Sequence, residues 1–160
     1  MNDEDKRFQK FSKLYEKALL LINEQYDDYK TIHGKTATLI SLSAFIFPLI
    51  LSTSNFKDFS NCIIILLTIP ILTYLLALIL FSIILFPKQL KHGIKINKIE
   101  ESFNKDLIDI LKTEIIALKK AFELNKPIIA EQNRRLKISI RLTLFSIGFV
   151  CILMFIGQTF

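Results

Sequence analysis

The chain has 160 residues, 51% of them apolar, with 21 Lys and Arg against 15 Asp and Glu, a net charge of +6. The apolar residues gather in three blocks, which excludes an ordinary soluble domain and fits an integral membrane protein. Basic residues are mixed with nearly as many acids, so the charge balance argues against nucleic acid as a partner.

Residues 1–35 are charged and lack an apolar core near the start, so no cleaved export signal is expected there. Within them Phe8, Phe11, Tyr15, Ala18, Ile22, Gln25, Tyr29 and Ile32 recur every three or four positions. That spacing predicts an amphipathic helix that packs one face on another helix. The segment ends on Gly34-Lys35-Thr36, which looks like the close of a phosphate-binding loop. Such a loop needs an earlier glycine where Tyr29 stands, and a buried β-strand where "EQYDDYK" stands. The alternative, entry of a helix into a membrane, fits the uncharged run that follows.

Residues 36–53 form the first predicted span and 54–61 a short outer loop, "TSNFKDFSN" being nearly neutral. Residues 62–86, containing "CIIILLTIPILTYLLALILFSIILF", form the second and most apolar span, and 138–157 the third. Seven Lys and Arg precede span one, and thirteen lie between Lys88 and Arg141. The positive-inside rule therefore predicts a cytoplasmic N-terminus, a cytoplasmic 87–137 segment and an external C-terminus.

The 87–137 segment carries a second stripe: Ile108, Leu111, Ile115, Leu118, Phe122, Asn125, Ile129, Gln132 and Leu136. Pro127 lies in it, and its missing N–H predicts a helix break near 125–127. The fold expected is an all-α membrane protein. Three transmembrane helices carry a long cytoplasmic helical hairpin, a stalk of antiparallel helices with Phe11, Ile22, Tyr29, Leu111, Leu118 and Phe122 at its interface. The stripes serve equally to pair two helices of one chain or to pair copies of the chain.

The sequence offers no enzyme: there is no HExxH, GxSxG or CxxC motif and no carboxylate pair in an apolar setting. Cys62 and Cys151 lie far apart in apolar blocks, and His33 and His92 have no ligand partners nearby, so neither a metal nor a cofactor is expected. The spans contain Ser and Thr but no acids, which argues against an ion-coupled transporter. Thr38, Ser41, Thr68, Thr73, Thr143 and Ser146 have two readings: hydrogen bonding at helix contacts, or a polar stripe lining an oligomeric pore. Lys35, Arg134, Arg135 and Arg141 likewise either anchor the chain at anionic lipid headgroups or hold an anionic signal such as a nucleotide phosphate.

In this arrangement a first helix leads into "GKTATLISLSAF". A second span then ends in "LFPKQLKHG", and a long helix, "DLIDILKTEIIALKKAFELNK", precedes a basic entry, "RRLKISIRLTLFSIGF". It resembles the small transmembrane effectors of bacterial anti-phage systems, the Pycsar transmembrane effectors and the related SLATT-domain effectors. The family entry places an acidic or polar residue before Lys-Ala; here His33-Gly34 stands in that place and Thr36 separates Lys35 from Ala37. The resemblance implies a homo-oligomer in the bacterial inner (cytoplasmic) membrane that permeabilises it when a cyclic nucleotide is made during infection. It also implies a cyclic nucleotide or a cytosolic signalling protein as partner, beside the lipid bilayer. The other expectation is a non-enzymatic scaffold whose stalk docks a cytosolic partner.

Overall fold

The computed structural model describes residues 3–52, 61–93 and 106–159. The predicted outer loop at 54–61 falls almost wholly outside the described residues, as does the 94–105 part of the long segment. Four helices account for nearly everything described: α1 Asp3–Ser52, α2 Asn61–Leu66, α3 Thr68–Leu85 and α4 Leu107–Thr159. No strand occurs among the described residues. Three helical stretches, α1, α2 with α3, and α4, are long and apolar enough to cross a membrane.

Local chemistry sets the helix ends. Asp3, Glu4 and Asp5 occupy the first turn of α1, where negative charge meets the positive end of the helix dipole. At the start of α4 the Asp106 carbonyl accepts the N–H groups of both Asp109 and Ile110, and Lys112 donates to Asp109 at 2.8 Å. A single turn residue, Leu67, separates α2 from α3. It lies one turn before Pro70, which lacks the N–H that would bond the Leu66 carbonyl. The Thr68 hydroxyl bonds the neighbouring Ile65 carbonyl at 2.7 Å. α3 stops at Phe86, whose ψ of 119° is extended, because Pro87 excludes the helical conformation from the residue before it.

The chain divides into two compact units: residues 1–30 with 88–131, and residues 31–87 with 132–160. In the first, α1 and α4 pack through Ile22, Leu118 and Ala121, flanked by Tyr15, Ala18, Tyr26 and Phe122. The order of contacts gives the direction. Lys112 sits 5.5 Å over the Phe11 ring, Tyr15 bonds Glu114, and the Gln25 amide donates to the Phe122 carbonyl at 3.1 Å. Residue numbers rise together on both helices, so the pair is parallel. This corrects the antiparallel hairpin expected above. The two stripes thus pair with each other inside one chain.

The expected break at 125–127 is also absent: α4 is helical throughout, with Pro127 inside it. Pro127 and Glu123 are exposed, so the carbonyl freed by the missing N–H lies on the outer side of the helix, where solvent satisfies it.

In the second unit Phe47, Leu67, Tyr74, Val150 and Leu153 form the core. Phe47 and Tyr74 stack with ring centroids 4.0 Å apart. The start of α3 meets the ends of α1 and α4, as a return crossing requires. Large apolar side chains, among them Phe45, Leu72, Ile79, Leu144, Ile152 and Phe155, remain exposed, the surface that hydrocarbon would cover.

Ile22 is 2% exposed. Ile22→Ala should therefore weaken the first unit by about 2–4 kcal/mol, whereas the exposed Lys120→Asp should change it by under about 0.5 kcal/mol. Limited proteolysis in detergent reads this out: cleavage within residues 3–30 should speed up at least tenfold for the first variant only.

Candidate functional site

The segment after α3 is not helical, yet it is held at four points. The Tyr29 hydroxyl accepts the Lys88 N–H at 2.8 Å. The Asn125 side chain accepts the Lys91 N–H at 2.8 Å and donates to the Lys91 carbonyl at 2.9 Å. Asn125 thus pairs with Lys91 as a neighbouring strand would. It is fully buried, which accounts for a polar residue in an otherwise apolar stripe. The His92 ring stacks on Tyr26 at 4.0 Å and 11°. Gly93 has φ of +99°, which favours glycine, and a Cβ there would press on the Leu118 side chain at 3.1 Å.

Between this strap and α1 lies an open cleft of about 440 Å³, lined by Tyr26, Tyr29, Lys30, Lys88, Gln89, Leu90 and His92. Lys30 and Lys88 give it a cationic character suited to an anionic headgroup or phosphate. Burial pushes the Tyr26 hydroxyl above its usual range. Tyr15 also titrates above its usual range, through burial first and then the Glu114 carboxylate it bonds.

The second unit carries a polar seam. Thr36 and Ser43 of α1, and Gln132, Ser139, Thr143 and Ser146 of α4, are all buried. Most of these hydroxyls bond carbonyls of their own helix: Thr36 to Ile32 at 2.7 Å, Ser139 to Arg135 at 2.9 Å, Thr143 to Ser139 at 2.9 Å. One bond crosses between helices, Thr73 to Ser146 at 2.7 Å. Small side chains let the backbones approach closely, and the bonds back to the helix leave few polar atoms unsatisfied. Gln132 is the exception. It is fully buried, and among the described residues neither its Oε1 nor its Nε2 has a partner.

Of the hydroxyl residues picked out in sequence, Thr73, Thr143 and Ser146 meet at the seam. Thr38, Ser41 and Thr68 are exposed; the first two bond carbonyls of α1, and Thr68 bonds the Ile65 carbonyl of α2. The stripe of α1 continues from Ile32 to Thr36, Ser43 and Phe47. Thr38 lies two residues from Thr36, about 200° round the helix, so it faces away. Lys35, Arg134 and Arg141 are exposed and Arg135 is half-buried. Arg134 and Arg141, two turns apart, share a face of α4. Gly34, Lys35 and Thr36 lie within α1 as helical residues, so no phosphate loop forms there.

Phe11, Tyr29, Leu111 and Phe122 are half-buried, and Ile22 and Leu118 fully so. Burial lowers the pKa of the half-buried His33. Among the described residues no group of three or more His, Cys, Asp or Glu could hold a metal. Cys62 and Cys151 are free and exposed. Sequence reasoning missed Tyr26, Lys30 and His92 as neighbours, because they meet only through the strap. It also passed over Thr36 and Ser139, although both continue the three-four spacing of the stripes.

Replacing Asn125 with Leu strands the Lys91 N–H and C=O, at a cost of about 1–3 kcal/mol. Hydrogen exchange should then show the Lys91 amide losing protection at least fivefold, and Tyr29→Phe should do the same at Lys88 alone. Comparison of the chain with protein-family models, with curated proteins and with solved structures finds no match in any of the three.

Proposed function

We propose that the chain is a small oligomeric effector of the bacterial inner membrane, which it permeabilises in response to a cyclic-nucleotide signal raised during phage infection. In this reading it has no catalytic site. Its N-terminus, strap and first unit are cytoplasmic and its C-terminus is external, the orientation favoured by the basic residues at the span ends. The basic cleft at Lys30, Lys88 and His92 is where an anionic signal would act, by binding one assembly state better than another.

The observation that carries the reading is the buried polar seam. A single three-span chain encloses no aqueous path, and here six polar side chains of α1 and α4 in the second unit are buried, with Thr73 bonded to Ser146. Because most of the hydroxyls are already satisfied by their own helices, turning them towards water costs little. Exposing the unpartnered Gln132 amide would be favourable. Re-pairing of helices between copies thus converts a sealed bundle into a hydrated one. A scaffold whose first unit docks a cytosolic protein is the second reading, favoured by the exposed apolar side chains Leu14, Leu20 and Ile116.

Expression with and without an active nucleotide cyclase, monitored with a membrane-potential dye, separates the two. The effector collapses the potential only when the cyclase is active; an unchanged potential under every cyclic nucleotide tried contradicts it. Gln132→Leu should raise the melting temperature, since it removes a buried amide whose lack of partners costs about 1–3 kcal/mol. The same variant should slow leakage by stabilising the sealed bundle.

A further inference from the structure

One side of the parallel α1–α4 pair in the first unit is an open apolar groove. Leu14, Ala18 and Leu21 line it from α1, and Ile115, Leu118 and Phe122 from α4. It continues past Leu21 and Phe122 to Ile129. Leu14 and Leu21 stay 44% and 39% exposed there, an apolar face of the kind that marks an interaction site. From Leu14 to Asp28 the groove runs for about 21 Å at 1.5 Å per residue.

Over the Glu24–Asp28 stretch its two rims carry opposite charges, while Lys17 stands further along the α1 rim. Glu24 and Asp28 stand on the α1 rim, with Lys126 on the α4 rim; Lys119 lies further along that rim. The hydrogen bond from Gln25 to Phe122, 97 residues apart, sets the register. It places Glu24 near the level of Lys119, and Asp28 near that of Lys126. Among the described residues no ion pair joins these acids to these lysines; Lys119 makes only a 3.9 Å contact with the exposed Glu123.

We propose that this groove docks the same groove of a second copy of the chain, giving a parallel four-helix bundle about a two-fold axis along the helices. The proposal rests on the reading of the chain as a self-assembling membrane protein, and it names the surface and the register. Copies inserted in one membrane with one topology present these helices with the same polarity, so a parallel two-fold is the symmetry open to them. Under that axis α1 of each copy lies against α4 of the other. The acidic Glu24–Asp28 stretch of α1 then meets the Lys119–Lys126 rim twice, at matching levels, while the two apolar faces close on each other. Confinement to a membrane raises the effective concentration of the partner.

The test uses charge reversal between separate chains. D28K and K126D chains, each with Cys62 and Cys151 replaced by Ser, carry different fluorophores and are reconstituted in liposomes at low protein density. Within either variant, positions 28 and 126 have like charge, and mixing does not change that. Only contact between chains sets the introduced lysine of one variant against the introduced aspartate of the other. The same contact keeps the native Asp28 of the second chain beside the native Lys126 of the first.

Energy transfer should show the mixed pair favoured about tenfold over either variant with itself, in line with the modest strength of exposed ion pairs. It should also approach the association of the unaltered chain. Separate chains carrying Leu21→Cys and Phe122→Cys should cross-link, and Leu20→Cys, which does not line the groove, should not. Mixed pairs no more frequent than like pairs would overturn the proposal. So would an unaltered chain that stays monomeric, which would assign the groove to a different protein. A chain that dimerises in this way but leaves vesicles sealed keeps the interface and removes the effector reading.

Discussion

Two helices that run side by side in the same direction cannot be joined by a short turn. The chain between them must travel back the whole way, and most of this molecule serves that constraint. The pairing of Gln25 with Phe122 and of Ile22 with Leu118 requires α3 as a return crossing and a further segment to bring the chain to the start of α4. Part of that segment is the strap at residues 86–93, where the backbone has no helical neighbours for its hydrogen bonds. Side chains supply them instead: Tyr29 takes the Lys88 N–H and Asn125 takes both groups of Lys91. A buried amide in an apolar stripe costs free energy unless it is fully bonded, and Asn125 is bonded by the segment it holds.

The same three-four spacing runs through both units with different chemistry. In the first it is apolar and aromatic, where burial from water drives association. In the second it turns to Thr36, Ser43, Ser139, Thr143 and Ser146. Within a bilayer the surrounding lipid is as apolar as leucine, so close packing and hydrogen bonds hold helices together. Gln132 heads this second set on α4 with both amide atoms unpartnered among the described residues, and a polar group left so is a weak point in the closed arrangement. The proposed effector activity draws on that contrast between a firmly paired first unit and a polar seam that water could satisfy equally well.

Much of the architecture was legible from periodicity. The uncharged runs marked the three long apolar helices, and the two stripes marked the helix pair, because burial leaves its period in the sequence. The stripes alone give no direction, since a stripe is the same read either way; the contacts of Phe11 with Lys112 and of Gln25 with Phe122 give it. Pro127 misled because α4 carries it on an exposed face, where the Glu123 carbonyl that loses its N–H partner is open to solvent. Thr38 and Ser41 share a helical face, but not the buried one; continuing the stripe by three and four selects Thr36 and Ser43 instead. The cleft at Tyr26, Lys30, Lys88 and His92 left no local signal, because it depends on where the strap is fastened.

The central claim is the parallel pairing of α1 and α4, and pulsed electron spin resonance tests it most directly. Two doubly labelled chains, with Cys62 and Cys151 replaced by Ser, carry labels at Lys10 and Lys112 or at Lys10 and Lys126. Fourteen residues of helix separate the two positions on α4, about 21 Å. A parallel pair predicts a short distance for the first chain and one longer by roughly 15–20 Å for the second; equal distances, or the reverse order, would contradict it.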